Sequence, residues 1–334
     1  MPYNIRKLVA GALGAIMLLF GGALWAENKP VKSIFGGSQP MEWLIRAVAP
    51  ESLCALNFDL DKKVSCFFRE KELRLPVIGG FNKSGLNPEI LLKIHPDYVI
   101  LSPQSKVKKD FELMLKRNGI AILRINLENL DNYPTAFIKL AEASGNSGRG
   151  KMLAKEYRLR LKDIKKQISL IPAEEKKKIY YAAGSKGLHT VCGESGHAQV
   201  IAYAGGKNII HNGYASGRKV QVQLEQIVAA DPDVIIIRDT AFMQKIRKLP
   251  VWRDLRAVKT GNVWLIPGSP TNWFDVPHTY MQLLGARWLA SKLYPHIFPD
   301  GYKDYTAEFY RIFLNIELDK TKWNLIEAPE EVGC

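Results

Sequence analysis

The chain has 334 residues, of which 47% are hydrophobic and 24% charged, and it carries a formal net charge of +14. This length suffices for two domains of ordinary size. The basic residues are spread over predicted helix faces, for example in residues 151–166, without the interleaved aromatic side chains typical of nucleic-acid-binding surfaces. We therefore expect a solvated basic surface, with attraction of an anionic ligand as a weaker alternative.

The first residues have the pattern of a secretory signal peptide. Arg6 and Lys7 precede an uncharged apolar run over residues 8–25, and polar residues follow Ala26. We expect cleavage after Ala26 and export to a bacterial periplasm. The alternative is an uncleaved N-terminal anchor, because the run approaches the length that spans a membrane. No cysteine follows the run to carry a lipoprotein anchor, and no later stretch could span a bilayer.

Short apolar runs alternate with amphipathic segments in the first half of the chain. Ser38 is placed to cap the first helix. Alternation at these spacings predicts an α/β fold with mostly parallel sheets. Strands are predicted at residues 31–35, 53–57, 75–78 and 120–125, and helices at 40–48, 106–117 and 133–143.

Residues 149–170 predict one long helix. They are rich in residues of high helix propensity and contain neither Pro nor Gly after Gly150. About twenty residues at a rise of 1.5 Å span roughly 30 Å, the width of a small lobe. We expect this helix to join two lobes and to limit their relative motion, since a helical connector bends less than a Gly/Ser linker. The alternative is an ordinary surface helix within one lobe.

In the second half of the chain, short apolar runs again alternate with amphipathic segments. The predicted division is a signal peptide over residues 1–26, an N-terminal lobe over 27–148, the connecting helix over 149–172 and a C-terminal lobe over 173–334. No structural signal is read in the tail from Asn324. Strands are predicted at residues 178–183, 234–237 and 263–266, and helices at 197–204, 242–249, 251–258, 278–293 and 305–314.

One pattern occurs twice, in residues 86–101 and 222–237. Each copy has a short amphipathic helix with a glutamate in its first turn, Glu89 or Glu225, followed by Pro-Asp and an apolar run. The proline ends the helix and moves the preceding residue out of the α region. The run reads as a strand buried on both faces, as in parallel sheets. The repeat therefore predicts two similar Rossmann-like α/β lobes.

The chain lacks the sequence patterns of common catalytic sites. It has no H-E-x-x-H zinc motif, no G-x-x-x-x-G-K-[ST] phosphate loop and no G-x-S-x-G nucleophile elbow. Ser195 and His197 are two residues apart, a spacing that does not bring them together on a helix. We predict that the protein is not an enzyme. An extracytoplasmic hydrolase is the distant alternative, because triad members need not be close in sequence.

Candidate ligand-binding residues follow the predicted strands, where ligands of α/β sheets bind. Trp273 and Phe274 lie in a loop flanked by Pro and Gly, and exposed rings there would stack on a flat or apolar ligand. An equally weighted alternative is that Trp273 folds back and closes the lobe. The predicted ligand-binding residues are Ser38, Phe58, Phe81, His189, Arg238, Trp273 and Phe274.

The histidine spacings match no known metal site. His189 and His211 lie in predicted loops of the second lobe, and His278 follows the aromatic loop. These three are the candidates for metal contact. Each alone is more typical of a surface or hydrogen-bonding histidine than of a metal ligand.

The four cysteines contain no C-x-x-C pair, so neither a redox pair nor a zinc ribbon is indicated. In an oxidising compartment Cys54 and Cys66 could close a short loop. Cys192 with Cys334 is the second possible pair. Both pairings stay open, because a disulfide needs a geometry that the sequence does not give.

These motifs, taken in order over residues 31–315, resemble periplasmic substrate-binding proteins of ABC importers, and within them the vitamin B12 and iron–siderophore class. The first-lobe segment LPVIGGF at residues 75–81 continues through Glu89 to Asp97, and the second-lobe segment AGGKN at 204–208 continues through Glu225 to Asp233. The resemblance implies two α/β lobes, a ligand held between them, no covalent cofactor and no nucleic-acid partner. It also implies a monomer that delivers its ligand to an ABC transporter permease dimer.

The resemblance gives the two repeated glutamates a role. Glu89 and Glu225 match positions that dock onto arginines of the permease dimer in similar proteins. Carboxylate–guanidinium pairs are bidentate and directional, and two related lobes can meet a two-fold partner. The alternative is that each carboxylate only stabilises its own helix N-terminus, by roughly 0.3–1 kcal/mol.

The expected ligand is an iron–siderophore or a related metal chelate. Residues 272–275 and 283–290 resemble receptors for iron or metal chelates, although similar loops often carry Arg-Pro-Pro where this chain has Val276-Pro277-His278. Cobalamin, haem, nickel and molybdate are the alternatives. Siderophore-binding relatives often hold an anionic chelate with arginine and tyrosine, for which this chain offers Tyr214, Arg218, Arg238 and Tyr280.

Overall fold

A computed structural model describes residues 32–81, 85–193, 195–210 and 219–327. The predicted signal peptide, Tyr214, Arg218, His211 and Cys334 lie outside these ranges. Two parallel sheets covered by helices are joined by one long helix, which confirms the predicted α/β class. No helix in the described ranges is both long enough and apolar enough to cross a membrane.

The first sheet has the order β1-β2-β3 and the second β6-β4-β8-β9, both with parallel pairing, while β5 and β7 form a separate antiparallel pair. The strands are β1 Ile34–Gly36, β2 Tyr98–Leu101, β3 Ala121–Arg124, β4 Lys178–Ala182, β5 His189–Val191, β6 Lys207–Asn208, β7 Lys219–Gln221, β8 Val234–Ile237 and β9 Val263–Leu265.

The helices pack on both faces of the sheets. A π-helical turn, Tyr310–Leu314, directly follows the helix Lys303–Phe309. The α-helices are α1 Gln39–Val48, α2 Glu70–Leu73, α3 Pro88–Ile94, α4 Lys109–Arg117, α5 Tyr133–Ser144, α6 Ser147–Ile168, α7 Gln199–Tyr203, α8 Leu224–Ala230, α9 Thr240–Met243, α10 Pro250–Asp254, α11 Arg256–Lys259, α12 Gln282–Leu293, α13 Lys303–Phe309 and α14 Lys320–Glu327.

Helix α6 is the predicted connecting helix. It runs from the end of the first lobe to the second and packs most extensively against α5. Gly150 makes this packing possible, because a Cβ there would lie 2.2 Å from the Cβ of Ala141 and 2.8 Å from the carbonyl oxygen of Phe137. A side chain at this position would therefore force the two helices apart.

The following segments differ from the sequence prediction. Residues 53–57 and 75–78 form only isolated bridges, Leu53 with Ile34 and Leu56 with Val77, rather than strands. The apolar segment predicted as helical from residue 278 becomes helical only at Gln282. No structural signal is read in the tail from Asn324, yet residues 324–327 belong to α14, and Leu325 and Ile326 are buried. The sequence reading therefore missed the structure of these four residues.

The internal repeat persists in three dimensions. Helices α3 and α8, and strands β2 and β8, occupy equivalent positions of the two sequence copies. Each helix ends at a residue in the left-handed conformation directly before the proline, His95 with φ 50° and Asp231 with φ 41°. This confirms that the proline excludes its predecessor from the α region.

The aspartate of each Pro-Asp pair clamps the first strand of its lobe. Asp97 accepts a hydrogen bond from the Ser33 backbone N–H at 2.8 Å, and Asp233 accepts one from the Lys178 N–H at 2.7 Å. Each aspartate also donates its own backbone N–H to the carbonyl of the same residue, at 2.8 and 2.9 Å. The central strand and the first strand of each sheet are thus joined at their amino ends.

The two sheets share one core on their inner faces and keep separate cores on their outer faces. Ile100 of β2 and Ile236 of β8 belong to the shared core, whereas their neighbours Val99 and Ile237 lie in outer cores of the first and second lobe. This alternation follows from the period of two in a strand. A continuous apolar core therefore crosses from one lobe to the other.

The C-terminal segment contacts both lobes. The Ser269 hydroxyl donates to the carbonyl of Leu325 at 2.7 Å, and the Tyr310 hydroxyl donates to the carbonyl of Ser269 at 2.5 Å. Helix α14 also contacts the turn Lys62–Phe67 of the first lobe. Arg149, near the start of α6, donates to the carbonyls of Ala47 and Ile312 at 2.6 and 3.3 Å. Hydrogen bonds and packing contacts therefore connect the C-terminal segment to both lobes.

The cysteines do not pair as suggested for the short loop. Cys66 is disulfide-bonded, whereas Cys54 is a free thiol, so a Cys54–Cys66 bridge is wrong. Burial raises the pKa of the Cys54 thiol, which disfavours its reactive thiolate. The suggested partner of Cys192, Cys334, lies outside the described residues.

The aspartate clamp gives a stability prediction. Burial opposes ionisation, but the Ser33 N–H and Lys32 together lower the pKa of Asp97 from its ordinary value of 3.8. We expect Asp97→Ala to lower the free energy of unfolding at pH 7 by about 1–2 kcal/mol, and Asp97→Asn by less, because the amide oxygen can still accept the hydrogen bond. Urea denaturation checks both.

The sign of the pH dependence follows from the lowered pKa. The ionised Asp97 side chain stabilises the folded protein at pH values above the ordinary carboxyl pKa. This contribution is lost as the pH falls through the pKa that Asp97 has in the folded protein. The difference between wild type and Asp97→Asn should therefore shrink below about pH 4. Equal stabilities of wild type and Asp97→Ala at pH 7 would contradict the clamp.

Candidate ligand-binding site

A cavity of about 420 Å³ lies between the two lobes, at the carboxyl ends of strands β1, β8 and β9. This is where ligands of open α/β sheets bind. The first-lobe wall includes Glu42, Trp43, Arg46, Phe58, Lys63 and Phe68, and the second-lobe wall includes Arg238, Leu265, Thr271, Asn272 and Val276.

A buried ion cluster lies at the first-lobe wall. The Arg46 Nη1 donates to Glu42 Oε1 at 2.5 Å, and its Nε lies 3.3 Å from Glu72 Oε1. All three side chains are at least nine-tenths buried. The second oxygen of Glu42 accepts the backbone N–H of Asn57 at 2.8 Å. Buried charges require such pairing, because each would otherwise lose its hydration without compensation.

The guanidinium of Arg46 also lies between two aromatic rings. Its central carbon is 5.1 Å from the ring centroid of Trp43 and 5.2 Å from that of Phe68, within the range of cation–π attraction. Its Nη2 is buried and has no hydrogen-bond partner among the described residues. The Arg46 guanidinium is therefore held in one position at the cavity wall, where the carboxylates of Glu42 and Glu72 balance its charge.

The opposite wall carries a second arginine. Arg238 follows β8, and its Nη2 donates to Asp239 Oδ1 at 3.2 Å. Burial disfavours the charge, yet Tyr181 and Asp239 raise the pKa of Arg238. Asp239 is itself fixed by the backbone N–H of Gly184 at 2.6 Å. Positive groups thus lie on both walls of the cavity, and Glu42, Asp59 and Asp61 place acidic groups on the first-lobe wall.

The structure brings two of the seven predicted ligand-binding residues to the cavity. Phe58 is 42% exposed at the first-lobe wall, and Arg238 lies opposite. Ser38 directly precedes α1, but its side chain does not cap the helix. Phe81 is half-buried and packs edge-to-face on Phe111 with ring centroids 5.2 Å apart. Neither Ser38 nor Phe81 lines the cavity.

The expected exposure of Trp273 and Phe274 is wrong. Trp273 is 0% and Phe274 1% exposed, so neither presents a ring face to a ligand. The Trp273 indole donates to the Tyr310 hydroxyl at 3.2 Å, and Phe274 packs edge-to-face on Trp288. The loop folds inward because the Asn272 side chain accepts the backbone N–H groups of both Phe274 and Asp275. The alternative in which Trp273 closes the lobe is the arrangement observed.

The histidines are placed differently from the prediction. His189 lies in strand β5 rather than in a loop, and outside the cavity. His278 packs edge-to-face on His197 with ring centroids 4.8 Å apart. Burial, together with His197, lowers the pKa of His278 to about 4, so that its ring is neutral at pH 7. No group of three or more metal-ligating side chains occurs within the described ranges.

Arg46 and Glu42 were missed from the sequence, although a signal was present. Both lie in α1, where almost every other side chain is apolar and buried. Two opposite charges four residues apart in an otherwise apolar helix indicate a buried ion pair. That pattern predicts a polar feature in the core, but not that it borders a cavity.

The repeated glutamates lie away from the cavity, each in the first turn of its helix. Both Glu89 and Glu225 are exposed, and neither forms an ion pair within the described ranges. The Asn87 side chain caps α3 by accepting the Ile90 N–H at 3.1 Å, while Gln226 accepts the backbone N–H of Gln223 at 2.9 Å in α8. Neither helix therefore needs its glutamate as a cap.

Two parallel-sheet lobes with a polar and aromatic cavity between them define a bilobal ligand-binding receptor. The periplasmic binding protein family matches residues 69–270, and the chain belongs to this family. Its members are substrate-binding components of ABC importers of the vitamin B12, siderophore and haem type, and they are not enzymes.

Individual relatives agree with this family. The chain is similar to an ABC transporter solute-binding protein of Sulfurospirillum deleyianum, with 31% identity and a TM-score of 0.81 over 89% of this chain and 94% of that chain. A vitamin B12-binding protein of Vibrio parahaemolyticus is 25% identical over 59% of this chain and 68% of the relative. An Fe(3+)-citrate-binding protein of Bacillus subtilis is 25% identical over 54% of this chain and 57% of the relative.

The ion cluster predicts a large effect of removing Arg46. Arg46→Met leaves the buried Glu42 without a cation and Glu72 with only Arg69 at 3.6 Å, and we expect it to lower the free energy of unfolding at pH 7 by about 3–5 kcal/mol. The triple variant Arg46→Met, Glu42→Gln and Glu72→Gln removes all three charges and should recover most of the loss. Urea denaturation of the three proteins provides the test. A loss below about 1 kcal/mol in the single variant would contradict the cluster.

Proposed function

We propose that this protein is a periplasmic receptor that binds an iron chelate, such as an iron–siderophore, in the cavity between its lobes and delivers it to an ABC transporter permease dimer. The observation that carries the proposal is the cavity with Arg46 and Arg238 on opposite walls and Phe58 at its side. In this proposal the chain is exported with removal of residues 1–26, and it acts as a monomer of two lobes joined by α6.

The size of the cavity favours a compact ligand. A volume of about 420 Å³ lies in the lower half of the range for small-molecule pockets. A corrinoid such as cobalamin would project out of a space of this size. A small iron chelate could be enclosed by both walls.

The chemistry of the walls favours a ligand with acceptor oxygens and an apolar face. Arg238 offers a guanidinium group and Lys63 an ammonium group, whereas Arg46 is buried and paired with carboxylates and adds its charge only to the field at the wall. Guanidinium groups bind carboxylate-like oxygens strongly. The partly exposed ring of Phe58 can cover an apolar part of the ligand. The Fe(3+)-citrate-binding relative supports a ligand of this class, whereas the vitamin B12-binding relative supports cobalamin as the alternative.

Delivery would use the two repeated glutamates. Glu89 and Glu225 are exposed carboxylates on equivalent helices of two similar lobes, which suits a permease with two-fold symmetry. Because neither is engaged by the rest of the described chain, both are available to arginines of a partner.

Native mass spectrometry with elemental analysis tests the ligand. Protein purified from its own periplasm should carry a compact organic chelate containing iron. A bound corrinoid, a porphyrin or a bare metal would each have a different mass and metal content, and any of them would contradict the iron-chelate proposal.

Cavity variants test where the ligand binds. With ferric citrate as the probe, we expect Phe58→Ala and Arg238→Gln each to weaken binding by about tenfold or more, because ring burial and charged hydrogen bonds contribute about 1.5–3 kcal/mol each. Leu73→Ala and Arg247→Gln are matched controls, since both residues are exposed and lie outside the cavity. Fluorescence titration measures the affinities. Equal losses in controls and cavity variants would argue against this site.

The docking proposal is tested by uptake. The double variant Glu89→Ala and Glu225→Ala should bind the ligand as the wild type does but abolish transport in cells, because only the permease contact is removed. Glu142→Ala with Glu174→Ala is the control, as both are exposed acids on other surfaces. Normal uptake in the Glu89/Glu225 variant would overturn the docking assignment.

A further inference from the structure

Helix α6 carries an unbroken row of cations on its exposed face. Its first five members are spaced by three or four residues and the sixth lies four residues after the fourth, so all of them lie on one side of the helix. Six positions contribute, all exposed: Lys151, Lys155, Arg158, Lys162, Lys165 and Lys166. At 1.5 Å per residue the row is about 22 Å long. We call it the α6 basic face.

The α6 basic face is hardly neutralised. Of its six cations only Lys165 forms an ion pair within the described ranges, with Asp131 at 2.5 Å. The two acids of the same helix point elsewhere: Glu156 lies 4.0 Å from the buried Arg160, and Asp163 lies 3.9 Å from Arg287. The remaining five charges face solvent together, which is unfavourable unless an anion is nearby.

A second cavity opens beside this face. It has a volume of about 320 Å³ and lies between α6 and the start of α5. Arg158 and Lys162 supply its unpaired positive groups, Lys165 is paired there with Asp131, and Leu161, Pro134 and Thr135 complete the lining. The size and lining suit an anionic head group attached to an apolar or glycerol-like part.

Two exposed apolar side chains border the row. Met152 is 40% and Leu159 53% exposed, and they are seven residues apart, so they share one side of the helix next to the cations. Cations flanked by exposed apolar side chains are characteristic of surfaces that rest on the head-group region of a membrane.

We propose that the α6 basic face is a docking surface for an anionic phospholipid bilayer, with one phosphate-bearing head group seated in the cavity beside Arg158 and Lys162. Anionic bilayers attract clustered lysines and arginines. The face is about 22 Å long, which is enough to contact several neighbouring lipid head groups. The surface lies apart from the ligand cavity and from Glu89 and Glu225, so this proposal does not depend on the ligand.

Vesicle co-sedimentation tests the proposal. The full exported chain is mixed with vesicles of phosphatidylcholine containing a third of phosphatidylglycerol, or of phosphatidylcholine alone, at low and high salt. We expect binding to the anionic vesicles only, and its loss at high salt because the contact is electrostatic. Binding to both vesicle types alike, or to neither, would overturn the proposal.

Charge variants locate the contact. The triple variant Lys155→Gln, Arg158→Gln and Lys162→Gln should bind anionic vesicles at least about tenfold more weakly than the wild type. The control is Lys106→Gln, Lys108→Gln and Lys109→Gln, which removes the same charge from exposed lysines at another surface. Equal weakening in both variants would show that only net charge matters, and would reject the α6 basic face as the site.

Two further measurements distinguish a bilayer from a soluble phosphate compound as the partner of the basic face. Inorganic phosphate at millimolar concentration should not displace the protein from vesicles if a bilayer is the partner, since a free ion occupies only the head-group cavity. Complete displacement at constant ionic strength would instead assign the cavity to a soluble phosphate compound. Ligand affinity of the triple variant should equal that of the wild type, so a negative vesicle result leaves the proposed ligand function intact.

Discussion

The interaction on which the architecture depends is the hydrogen bond from each Pro-Asp carboxylate to the first strand of its lobe. Asp97 and Asp233 join the amino ends of the first and central strands in two sheets that share no strand. With the amino ends fixed, the carboxyl ends of both sheets are left to form loops, and it is these loops that border the ligand cavity. The repeat therefore builds the two sheets, whereas the side chains that line the cavity lie in segments that differ between the lobes.

The sequence was sufficient to predict the two lobes, the connecting helix and the parallel strands, because those features follow from local periodicity and from the proline that ends each repeated helix. It was insufficient for the site. Trp273 looked exposed because its neighbours are typical of loops, and only tertiary packing on Tyr310 buries it. The spacing of Glu42 and Arg46 indicates an ion pair within the first helix, but the contact of Arg46 with Glu72 joins residues that no local pattern relates.

The cavity is organised before any ligand arrives. Arg46 is held by two carboxylates and two rings, and Arg238 by Asp239, so neither side chain has to be ordered on binding. Immobilising a long side chain costs about 0.5–1.5 kcal/mol when it occurs at binding. In this protein much of that cost has been met during folding, because both arginines are already held by carboxylates.

The core shared by the inner faces of the two sheets has a consequence for how ligand occupancy can be observed. Because apolar side chains of both lobes pack in one continuous cluster, and the C-terminal segment crosses both, the distance between the lobes is a poor reporter of binding. Fluorescent proteins fused to the two ends of the chain would give little change in energy transfer. A small dye placed at Val276, which is 43% exposed on the cavity wall, would instead sense the water displaced there. An optical sensor built from this protein should therefore read solvation rather than distance.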